Sequence, residues 1–197
     1  MRPWMLVFCL VCLSGAMFGA LKIQNQVLVF HHVTSWQNPP EVLPQEYAIY
    51  AAVIDSNKIH GPRGENETCM IQNVTIRGLS HDHPSEVFTS LGVPQEAIED
   101  FFVKSTHTYP LKEAPKSRIP CPMANDSERV GHPGPQADSI AFSRVGFDVT
   151  LTQAALYVVR SGAPGLDYWT SGYFVHLKKR DGCWVVIDAH LDFMIVA

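Results

Sequence analysis

Apolar residues recur at three- and four-residue steps in EYAIYAAVIDSNKI, Glu46 to Ile59. Ile49 and Val53 share a face there, and Tyr47, Tyr50 and Ile54 continue the stripe, which predicts a helix. VPQEAIEDFFVKST predicts a second helix, with Ile98, Phe101 and Phe102 as its apolar stripe. Pro94 suits a first helical turn, and Glu96 and Glu99 suit the positive end of the dipole. Between the two, ETCMIQNVTIRG is rich in β-branched residues and predicts a strand from Thr68 to Arg77. LSHDHPSEV reads as loop. From Tyr109 to Asp138 the chain is proline-rich and without period, which predicts a long surface loop holding one short strand near Arg118 to Cys121.

The last sixty residues change period. SIAFSRVGFD, TQAALYVVR, GYFVHLKK and CWVVIDAHLDF are four strand-like runs separated by short Gly- or Asp-bearing connections. TQAALYVVR carries apolar residues on both faces, which places it centrally. The expected fold class is α+β: helices packed on one face of a curved antiparallel sheet, with a C-terminal four-stranded meander. For the last hairpin, a three-residue Arg180-Asp181-Gly182 loop pairs Lys179 with Cys183 and Leu177 with Val185. That register is preferred because it gathers Tyr173, Val175 and Leu177 with Cys183, Val185, Ile187 and Ala189 on one apolar face. A two-residue Asp181-Gly182 loop, pairing Leu177 with Val186, mixes polar and apolar groups.

Composition bounds this picture. Hydrophobic residues are 46% and charged residues 17% of 197, as in a globular chain with a real core. The first twenty residues, MRPWMLVFCLVCLSGAMFGA, have one Arg, an apolar run and then small residues, the layout of a secretory signal peptide cut after Ala16 or Ala20. The expected organisation is a signal peptide at 1–20 and a single α+β domain at 21–197, secreted or periplasmic, with no membrane span in the mature chain. Its removal leaves 14 basic against 19 acidic residues, so no basic field holds nucleic acid. Cys69, Cys121 and Cys183 then remain as buried small residues, and an oxidising compartment allows one pair to bridge, with three pairings open and none chosen by sequence. Three N-x-S/T segments start at Asn66, Asn73 and Asn125.

Candidate chemistry is sparse. No phosphate loop, dinucleotide motif or nucleophile elbow occurs, no cofactor is expected, and sequence names no partner. In the preferred register Cys183 and His176 lie on opposite faces, which disfavours a Cys–His dyad. His176 and Asp188 share a face as diagonal neighbours, about 7–8 Å apart, with Trp184 alongside. On the concave face of a sheet they form a candidate acid–base pair. Arg144 and Trp184 are candidate binding residues. An Arg on a strand reaches a carboxylate ligand in a cavity, or pairs with Asp148 or Asp138 to hold the meander. His81 and His83 alternate in HDH and are candidate metal ligands, with His107 or His132 as a third, although Pro84 makes the segment read as a turn. The favoured expectation is a non-catalytic binding or structural domain. An enzyme using His176 and Asp188, and metal binding at His81 and His83, are the alternatives.

The run FSRVGFD, TQAALYVV, SGYFVHLKKRDGCWVV, together with EYAIYAAVI and YPLKE upstream, resembles a group of uncharacterised secreted bacterial proteins. Their pattern is S-R-V-G-F, then T-Q-A-L-x-Y-V, then G-Y-Y-x-L-x-K-x-x-G-x-W. The resemblance covers about half of the chain and implies an exported α+β protein, with no activity attached. His176 stands where that pattern has an apolar residue. At the level of fold alone, helices followed by a sheet ending in K-x-D-G-x-W-x-V are similar to nuclear-transport-factor-2-like or cystatin-like proteins.

Overall fold

A computed structural model describes residues 41–59, 68–77, 83–119, 121–124, 137–162 and 169–196. All lie in one compact unit, Asn38–Ala197. The expected signal peptide and His81 fall outside the described residues.

The helical stripe at Glu46 becomes α1, Pro44–Ile54, followed by a 3-10 turn at Asn57–Ile59. Pro44 opens it at a position needing no N–H, and Glu46 reaches back to the Leu43 N–H. The second stripe becomes α3, Gln95–Lys104. Before it stands α2, Pro84–Ser90, in a segment expected to be loop. Its only buried anchor is Phe88, seated edge-on against Phe101 and Phe174, so no periodic stripe announced it. The strands are β1 (Thr68–Ile71), β2 (Ala137–Phe142), β3 (Gly146–Phe147), β4 (Gln153–Gly162), β5 (Trp169–Arg180) and β6 (Cys183–Val196).

These strands make one mixed sheet in the order β1-β2-β4-β5-β6, with β3 also on β4. The β4-β5-β6 meander is antiparallel, as expected. β1 runs parallel to β2, so the sheet is not purely antiparallel. No strand forms at Arg118–Ile119. The proline-rich segment instead touches β1 at Met123, where Ile71 donates to the Pro122 carbonyl and accepts from Ala124. Cys69 and Cys121 are disulfide-bonded beside that contact, across 52 residues of chain, and Cys183 is free and exposed.

Two hydrophobic cores flank the sheet. On one face Ile49, Tyr50 and Val53 of α1 meet Leu156, Val158, Val175 and Leu177. On the other, Phe88 of α2 and Ala97, Ile98 and Phe101 of α3 meet Ala155, Tyr157 and Phe174. Alternate β4 and β5 residues point to opposite faces, so the helices cover both faces, not one as expected. The two-faced apolar run in β4 demands this. Each large side chain withdrawn from water contributes about 1.5–3 kcal/mol, and neither face can be left bare.

The last hairpin also departs from the preferred register. Asp181 and Gly182 both have positive φ, 50° and 82°, and form a two-residue loop of the type that matches strand twist. Arg180 pairs with Cys183, Lys179 with Trp184 and Leu177 with Val186. Ile187 then bulges, and pairing resumes with His176 opposite Asp188 and Val175 opposite Ala189. The preferred register requires unbroken pairing along the whole hairpin. The bulge removes the polar–apolar mixing that argued against the shorter loop, because Trp184, Val186 and Ala189 all reach the α1 core.

Candidate functional site

The corrected register puts Cys183 on the same face as His176, not the opposite one. The two are still four residues apart along the ladder, roughly 13 Å, too far for a dyad. His176 is 1% exposed. Its Nδ1 lies 2.9 Å from the Leu91 carbonyl and its Nε2 3.2 Å from Gln153 Oε1. It therefore ties the turn between α2 and α3 to the sheet. Burial holds its pKa below the ordinary value. Lys178 adds to this, while the Leu91 bond and Asp188 oppose it. Asp188 sits directly opposite but is exposed, and its Oδ1 accepts from the Ala189 N–H.

Arg144 is fully buried and gripped by Glu46. Its Nε donates to Oε1 at 2.9 Å and its Nη2 to Oε2 at 3.0 Å. Glu46 also accepts the main-chain N–H groups of Val145 and Leu43. The Arg144 guanidinium lies 4.4 Å from the Tyr109 ring centroid. On the other side of the same link, Asp100 of α3 accepts from Lys104 at 2.6 Å and from the Phe147 N–H at 2.8 Å. The S-R-V-G-F run is thus the place where helices on both faces are bolted to the sheet. The Arg144 partner is Glu46, not Asp148 or Asp138. Asp148 holds its own turn through Thr150, Thr152 and Gln153. Burial pushes its carboxyl up, but those bonds outweigh it and the pKa is lowered. Asp138 instead pairs with Arg160 at 2.5 Å, deep in the sheet.

His83 is exposed in a left-handed conformation at the start of α2, 3.5 Å from Glu86. His107 is exposed beside Thr106. Among the described residues no group of three or more potential ligands gathers.

Trp184 borders a cleft. A cleft of about 1160 Å³ opens between the outer flank of α1, residues 113–118 and the tip of the last hairpin. Tyr47, Ala48 and Ala51 form its helical wall, and Trp184 and Val186 its sheet wall. Lys58, Lys116 and Arg118 line it with Asp55 and Glu113. Asp55 is engaged by Arg118 Nε at 3.2 Å and by the N–H groups of Arg118 and Ile119. His176 and Asp188 are not part of this cleft. Sequence reasoning missed the helical wall because alanines at Ala48, Ala51 and Ala52 look like filler. The usable signal was that α1 carries small residues, not charges, opposite its core stripe.

Comparison with protein-family models, with curated proteins and with solved structures returned no match.

Proposed function

We propose that the chain is an exported, non-catalytic binding domain whose ligand seat is the cleft between α1, residues 113–118 and the β5–β6 tip. The observation that carries this is the cleft's make-up: two aromatic side chains and small alanines form the walls, and charged side chains stand among them. Concave apolar walls with a few polar groups are what ligand sites use. Export is supported by the signal-like first twenty residues and is compatible with the Cys69–Cys121 disulfide. The resemblance to secreted bacterial proteins points the same way.

The acid–base alternative has less support, since both ring nitrogens of His176 face Leu91 and Gln153 in a closed layer. A thermal-shift screen of small molecules and peptides on the mature chain tests the proposal. Ligands that raise the unfolding temperature are expected to lose that effect in Ala48→Trp, which fills the cleft from an exposed position. Ligands whose effect survives Ala48→Trp but disappears in His176→Gln would replace this reading with the enzymatic one.

A further inference from the structure

The cleft extends beyond the sheet face that α1 covers. It is lined by Cys183, Trp184, Val185 and Val186 in succession. Successive residues of a strand point to opposite faces, so a cavity touching all four reaches the strand's edge. β6 ends the sheet order, paired with β5 on one side only among the described residues.

The turn fixes which main-chain groups point outward. A two-residue loop closes on a hydrogen-bonded pair, here Arg180 with Cys183. Bonded and non-bonded pairs alternate in an antiparallel ladder. Lys179 with Trp184 and Leu177 with Val186 are therefore non-bonded pairs. The Lys179 N–H agrees, because it turns away from β6 and donates to the Thr152 carbonyl at 2.7 Å. The N–H and C=O groups of Trp184 and Val186 consequently point away from β5, and both residues line the cleft. The open stretch ends where the Ile187 bulge begins, with the Ile187 carbonyl held by Lys58 Nζ. Across the cleft stand the small side chains of Ala48 and Ala51.

We infer that the cleft receives an extended peptide segment bearing acidic side chains, which adds to β6 as a further strand at Trp184 and Val186. This rests on the binding reading above and names its ligand class. Strand addition takes affinity from main-chain bonds and selectivity from flanking side chains. The selectivity follows from charge. Lys58, Lys116 and Arg118 line the cleft with Asp55 and Glu113, and Lys179 and Arg180 end β5 next to the turn at Asp181, outside the lining. Cations are in excess there on a chain whose net charge is −4.

The test uses the full chain and a random-peptide display library. Enriched peptides are expected to be rich in Asp and Glu and in strand-forming residues. Val186→Pro removes an outward N–H without touching the β5 ladder, and is expected to weaken binding about tenfold. If that variant fails to fold, the selected peptide with alternate main-chain amides N-methylated gives the same decision on the native chain. Peptides that bind Val186→Pro, or bind when N-methylated, as well as the unmodified pair would overturn strand addition. The cleft reading would survive that result if Ala48→Trp still abolished binding. No enriched peptide overturns the inference, and the cleft reading falls with it only if the small-molecule screen also yields no ligand sensitive to Ala48→Trp.

Discussion

Glu46 and Arg144 are both fully buried, and each satisfies the other. Removing one leaves an uncompensated charge away from water, so Arg144→Met or Glu46→Leu alone is expected to lower stability by about 3–5 kcal/mol. The double variant is expected to lose less than the sum, and a double-mutant cycle by urea unfolding measures the difference. His176 works in the opposite sense. Its folded pKa is lowered, chiefly by burial. The unfolded chain therefore takes up a proton first as pH falls below about 6.5, and stability is lost from there down through the lower folded value. His176→Phe, which cannot titrate, is expected to flatten that part of the stability–pH curve. An unchanged slope in chemical denaturation from neutral to mildly acidic pH would show that His176 is not its source.

The start of β3 shows why elements approach as they do. At Gly146 a Cβ would lie 2.1 Å from the Ala97 carbonyl and 2.4 Å from the Phe101 nitrogen. Glycine there lets α3 lie directly on the sheet. Gly146→Ala is expected to force the helix outward and cost about 1–3 kcal/mol, read as a lower unfolding temperature. The Cys69–Cys121 bridge closes a long loop, so Cys69→Ser is expected to lower stability by about 2–4 kcal/mol. Non-reducing peptide mapping of the native chain is expected to find Cys183 free.

At the scale of the whole molecule, α1 and α3 were legible because each carries a period, and the closing meander because apolar, β-rich runs alternate with turn residues; the strand expected at Thr68 to Arg77 stops at Ile71, and the run SIAFSRVGFD divides into β2 and β3. α2 was not, because one phenylalanine anchors it. Which faces the helices cover was present in TQAALYVVR, whose apolar residues on both sides require two covers. The hairpin register was hidden by a bulge at Ile187 that no local pattern marks. The cleft was hidden for a related reason. Its walls join α1 to a strand more than 120 residues later, and its recognition groups are main-chain atoms, which sequence does not distinguish. The central claim is that recognition occurs at the edge of β6 under α1, not at His176. Hydrogen exchange across the whole chain, with and without the display-selected peptide, tests it most directly. Slowed exchange at the Trp184 and Val186 amides and little change around Leu91, Gln153 and His176 is the expected result. Protection centred on His176 with none at the β6 edge would contradict it.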